Sequence, residues 1–90
     1  MATKVHLYTS LKSYTNGRSV VEVNGTTLGS CLNDLVRQFP KIKQVLFDKY
    51  GRLLPKVFVS VNMQSAYPEE LEKPIKDGDE LYIALVISGG

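Results

Sequence analysis

The chain has one cysteine, one histidine and no tryptophan. A lone Cys31 excludes an internal disulfide and any four-cysteine metal or iron–sulfur site built from one chain. Long hydrophobic runs are also missing. The longest, Leu81 to Ile87, is seven residues, against roughly 20 for a membrane-spanning helix. The opening "MATKVHLYTS" lacks the apolar stretch of a signal peptide. A cytoplasmic protein with no membrane association is the expectation. Repeats, low-complexity tracts and linkers are absent too, so residues 1–90 read as a single domain.

What is present is a 43% hydrophobic, 22% charged composition, which suits a small globular domain rather than a disordered chain. The net charge of +2 hides an asymmetry. Residues 1–68 hold nine Lys/Arg against three acids, a balance of +6, whereas residues 69–90 hold two lysines against six acids, a balance of −4. The basic charges are spread along the chain and are not interleaved with aromatics, so nucleic acid is not the expected partner. Lys41, Lys43, Lys49, Arg52 and Lys56 are instead candidates for meeting an acidic protein surface.

Periodicity lays out the elements. "KVHLYTS" (4–10) alternates as a first strand, and Asn16-Gly17 is a turn pair that tolerates positive φ. "SVVEV" (19–23) returns as the second strand of a hairpin with a longer connection. In "TTLGSCLNDLVRQFP", Leu28, Cys31, Leu32, Leu35, Val36 and Phe39 fall on one helix face. Thr26 or Thr27 caps its start, and Pro40 ends it by disfavouring helical geometry at Phe39. Gly29 costs the helix about 1 kcal/mol against alanine. A short helical turn is expected around residues 45–47, and "KVFVSVN" (56–62) alternates as a third strand. The stretch 63–80 contains Pro68 and Pro74, so it holds no long helix, and it closes on an Asp77-Gly78 turn. "LYIALVI" (81–87) is apolar on both alternate sets, as in an interior strand covered on both faces. The order predicts an α+β fold: a mixed sheet of four to five strands with one main helix packed across it, the β-grasp arrangement.

The strand that ends at Ile87 is followed by Ser88-Gly89-Gly90. Three extended residues reach about 10 Å, and glycines without Cβ make the tail thin enough for a narrow channel in another protein. Its reactive atom would be the carboxyl carbon of Gly90. A carboxylate with a pKa of about 3.5 is ionised at neutral pH and is a poor electrophile until activated. A mixed anhydride with AMP supplies that activation, and displacement by a sulfur donor leaves a thiocarboxylate. Gly90 would then carry AMP and sulfur in turn, with Gly89 and Ser88 needed for channel entry. The chain itself offers no nucleotide site, so a partner would use the ATP and no cofactor is bound. The bland alternative is a frayed end without function.

Other chemistry-bearing residues read as structural. His6 has no neighbouring cysteine or paired-carboxylate motif, and Cys31 lies on the apolar helix face as a buried, inert thiol. Asp77, Asp79 and Glu80 lack a full calcium-loop spacing and fit a turn with a solvated rim.

Taken in order, the helix "LGSCLNDLVRQFP" (28–40), the strand "VFVSVN" (57–62) and the end "IKDGDELYIALVISGG" (75–90) resemble the ubiquitin-like sulfur carriers of the MoaD/ThiS family. That resemblance implies a β-grasp fold and adenylation of Gly90 by a ubiquitin-activating-enzyme-like adenylyltransferase. It also implies loading from a sulfur donor and delivery to a sulfur-accepting biosynthetic enzyme. The length of the region 45–64 is similar to the molybdopterin-synthase small subunit and to cysteine-biosynthesis carriers. The end "ALVISGG" lacks the proline pair of the molybdopterin branch, and both pathways stay open. A ubiquitin-like modifier joined through Gly90 to target lysines, and a plain β-grasp interaction module, are the alternatives.

Overall fold

A computed structural model describes residues 3–67 and 69–85, with Thr9 described by its backbone alone. Strand β1 (Thr3–Leu7) turns Val5 and Leu7 inward and Lys4 and His6 outward, as its alternation requires. It stops three residues earlier than its sequence pattern indicates. Residues Thr9–Tyr14 form a 3-10 helix instead, opened by the Leu11 amide donating to Tyr8 O at 2.8 Å. This turn drives Leu11, fully buried, into the core. Thr15 closes the segment, its hydroxyl donating to Arg18 O at 2.8 Å. Asn16 and Gly17 then take φ of 57° and 80°, the left-handed pair expected of that dipeptide, and the chain returns as β2 (Val20–Val23) antiparallel to β1.

Helix α1 (Leu28–Gln38) starts at a capping box. Thr27 Oγ1 accepts the Ser30 amide at 3.1 Å, and Ser30 Oγ accepts the Thr27 amide at 3.0 Å. Leu28, Cys31, Leu32 and Leu35 are buried on its inner face. Phe39, just before Pro40, leaves helical geometry at φ −135° and ψ 79°. Gly29 has a steric reason: a Cβ there would lie 3.1 Å from the carbonyl oxygen of Leu71, so the 3-10 turn Glu70–Glu72 packs directly on the helix backbone.

The next helical turn comes earlier than expected. A 3-10 turn, Pro40–Ile42, runs into α2 (Lys43–Leu46), and Phe47 is already extended. Pro40 stops one helix and also suits the first position of the next, where no amide donor is needed. Phe47 bridges to Leu53 across a loop.

Strands β3 (Val57–Val61), β4 (Gln64–Ser65) and β5 (Glu80–Leu85) complete a five-stranded mixed sheet ordered β2-β1-β5-β3-β4. β5 lies at the centre, parallel to β1 and antiparallel to β3. The interior position matches the sequence reading; cover on both faces does not. Leu81 and Ile83 are fully buried in the core, but Tyr82 and Ala84 are only partly covered on the other face of the sheet. An apolar, aromatic open face reads in sequence like a buried one.

Candidate functional site

Ser88, Gly89 and Gly90 lie outside the described residues. What the structure supplies is their base. β5 is paired on both sides as far as Ile83, in register with Leu7 and Val59, and on the β3 side to its end, where Leu85 is in register with Val57. Beyond β1, the Tyr8 amide still donates to Ile83 O at 3.3 Å. A central strand cannot move without breaking two ladders, so the segment after Leu85 begins from a fixed point.

The open sheet face forms rows across the strands. One runs Val20–His6–Tyr82–Ser60 and the next Glu22–Lys4–Glu80. His6 stacks on Tyr82, ring centroids 4.4 Å apart, and its Nε2 meets Glu80 Oε1 at 2.7 Å. Burial raises the Tyr82 phenol, and the Glu80 carboxylate adds to this. The histidine therefore serves packing and a hydrogen bond across β1 and β5. Tyr8 and Phe58 stand exposed on this face, and Tyr67 is exposed beside a cleft of about 200 Å³ shared with Leu53 and Phe58. The alternation sets Tyr8 opposite Val5 and Leu7 and Phe58 opposite Val57, Val59 and Val61, as observed, but it does not reach Tyr67.

The acidic turn is more structured than a solvated rim. Asp79 Oδ2 accepts the Lys76 amide at 2.8 Å, and Asp79 Oδ1 accepts Asn62 Nδ2 at 3.0 Å. These bonds hold its carboxyl below the usual range, the Lys76 amide foremost. Asn62, at φ 51°, returns an acceptor to the Glu80 amide at 2.9 Å, pinning the β3–β4 turn to the start of β5. Among the described residues no group of three or more His, Cys, Asp or Glu converges to hold a metal. Cys31 is fully buried, and burial pushes its thiol up, with Asp34 and Asp79 adding to it.

The five basic residues named from sequence separate. Lys41, Lys43 and Lys49 line one groove of about 450 Å³ with Pro40, Gln44, Phe47 and Asp48. Arg52 lines a different cleft with Glu69, Glu70 and Glu72, and Lys56 lines neither.

A mixed five-stranded sheet with a main helix across one face and a central last strand parallel to the first is the ubiquitin-like β-grasp. The family model described as "ThiS family" matches residues 5–90. The chain belongs to that family. It is 31% identical to the sulfur carrier protein CysO of Mycobacterium tuberculosis, over 93 aligned positions spanning all of both chains. Among solved structures it is similar to one titled as the Amycolatopsis orientalis BexX/CysO complex, with TM-score 0.90, 31% identity, and coverage of 99% of this chain and 100% of that one. It is also similar to small archaeal modifier protein 1 (SAMP1) of Haloferax volcanii, with TM-score 0.88, 27% identity and full coverage of both chains.

Proposed function

We propose that this chain is a sulfur carrier whose Gly90 carboxyl is adenylated and then thiolated by partners. The observation that carries the reading is membership of the ThiS family across residues 5–90, joined to full-length likeness to the sulfur carrier CysO. In the first step the Gly90 carboxylate attacks the α-phosphorus of ATP on an adenylyltransferase, giving the acyl-adenylate and releasing pyrophosphate. Hydrosulfide then attacks the acyl carbon, the C–S bond forms, and AMP leaves with the electron pair of the broken C–O bond. The thioacid formed loses its proton to water to give –C(=O)S⁻, a better nucleophile than the carboxylate. In the last step its sulfur displaces a leaving group from an electrophilic carbon of a substrate on an acceptor enzyme, the leaving group departing with the electron pair of its bond. Water then cleaves the thioester, returning the Gly90 carboxylate and leaving the sulfur on the substrate as a thiol. The chain's own part is positional: central β5 presents the segment, and Ser88 and Gly89 let it enter the partner. ATP belongs to the activating partner. Likeness to CysO favours a cysteine-type acceptor over a molybdopterin-type one, and the BexX/CysO complex supports work docked on another protein.

ATP–pyrophosphate exchange catalysed by an adenylyltransferase from the same cell tests the first step. The intact chain should support exchange and a chain lacking Gly90 should not. Exchange that persists without Gly90 would place the chemistry elsewhere. The likeness to SAMP1 favours one second reading, in which a lysine amine replaces hydrosulfide as nucleophile. Covalent adducts on other proteins in an ATP-supplied lysate would mark that outcome.

A further inference from the structure

The groove that follows α1 has a chemistry the carrier reading does not use. Its floor is apolar, with half-buried Phe47 beside Pro40. Its walls carry the exposed side chains of Lys41, Lys43 and Lys49, none of them in an ion pair among the described residues. The one carboxylate on the lining, Asp48, is committed to its own loop. Its Oδ1 accepts the Tyr50 amide at 2.8 Å and the Arg52 amide at 3.0 Å, and its Oδ2 lies 3.6 Å from Arg52 Nε. Three cations thus face a groove of about 450 Å³ with no free counter-charge in its lining. Beside it, exposed Tyr50 has two cations near its ring, the Lys49 ammonium 5.2 Å and the Arg52 guanidinium 5.3 Å from the ring centre.

The close of α2, beside the groove, is bonded to the sheet. Leu85, the last described residue of β5, is in register with Val57. The Val57 amide donates to Leu54 O at 3.0 Å, and the Leu54 amide donates to Leu46 O at 2.9 Å.

We propose that the groove of Lys41, Lys43, Lys49 and Phe47 docks an acidic segment of a partner protein, its carboxylates on the lysines and one aromatic or aliphatic side chain on Phe47. Charge complementarity selects that occupant, and an apolar floor selects a peptide over a polyanion without side chains. The inference goes beyond the sulfur-carrier reading and stands without it.

The test uses the whole chain, labelled with nitrogen-15, and the capped peptide Glu-Asp-Phe-Asp-Glu as probe. Titration should give saturable shifts at Lys41, Lys43, Gln44, Phe47 and Lys49, and a peptide with Gly in place of Phe should bind about tenfold more weakly. The double variant K41E/K43E should lose about tenfold or more in affinity while its spectrum elsewhere stays that of the folded chain. K4E/K12E, a charge change far from the groove in sequence, should bind as the parent does. Equal binding of the two peptides, or shifts spread over Lys4, Lys12 and Arg18, would overturn the proposal. So would preferential binding of a thymidine oligonucleotide, or concentration-dependent self-association that fills the groove with a second copy. None of these outcomes touches adenylation of Gly90.

Discussion

Replacing Asp34 by alanine removes a carboxylate that ties α1 to the end of β2. It is buried, yet it is an acid on the inner half of a helix. Asp34 Oδ2 accepts the Asn24 amide at 3.0 Å and Gln38 Nε2 at 3.2 Å, and Oδ1 pairs with Arg37. The amide bond to a buried carboxylate is worth about 1.5 kcal/mol. The Arg37 pair adds little, because the guanidinium is 77% exposed. Gln38 contributes about 0.5 kcal/mol. Alanine returns about 0.5 kcal/mol of helix propensity, leaving a net loss of about 1.5 kcal/mol. In a domain of this size that lowers the melting midpoint by about 6–12 °C. The loss should depend on pH. The Arg37 hydrogen bond, with help from the Asn24 amide, holds the Asp34 carboxyl below its ordinary value. The unfolded chain therefore binds more protons in the acid range, so stability from this group is fully present above about pH 4. It fades as pH falls through the lower folded value. Urea unfolding of parent and variant at pH 7 and at steps down to pH 2 measures it. A gap under about 0.5 kcal/mol at pH 7, or a gap unchanged at pH 2, would refute this reasoning.

Leu11→Ala should cost about 2–5 kcal/mol in urea unfolding, since it empties a fully buried site; a change below 1 kcal/mol would mean the 3-10 turn is not part of the core. Gly25→Ala should cost about 1–3 kcal/mol by the same assay, because a Cβ would sit 2.7 Å from the Cys31 amide nitrogen and 2.5 Å from Ser30 Oγ. A neutral result would show that the α1 entry can shift freely. Cys31 should react with iodoacetamide at pH 8 far more slowly in the folded chain than in urea, as a buried thiol with a raised pKa demands; equal rates would contradict its burial.

Much of the fold was legible because several signals agreed at the same residues. In α1 a six-residue apolar face, a threonine cap and a proline stop all mark one span, and the observed helix differs only at its last turn. β3 and β5 carried strong strand composition. The 3-10 segment Thr9–Tyr14 was not legible, because Leu11 is an isolated apolar residue in a polar stretch and has no period to reveal it. β4 is two residues long, too short for any alternation. In the candidate site, the chemistry of Gly90 follows from its carboxyl and from family resemblance. The basic groove could not be read from spacing. Lys41 sits on the turn after α1, Lys43 opens α2 and Lys49 is on a loop, yet all three line one hollow. Lys56 and Arg52, equally basic in sequence, face other surroundings.

Loading of the C-terminal carboxyl is the centre of the account, and mass spectrometry reads it directly. After incubation with ATP, the adenylyltransferase and sulfide, exchange of oxygen for sulfur should raise the intact mass by about 16 Da, and fragmentation should place the increment on Gly90. An increment on Met63 would be oxidation. An unchanged Gly90 under conditions where adenylate forms would contradict the claim that this chain carries sulfur.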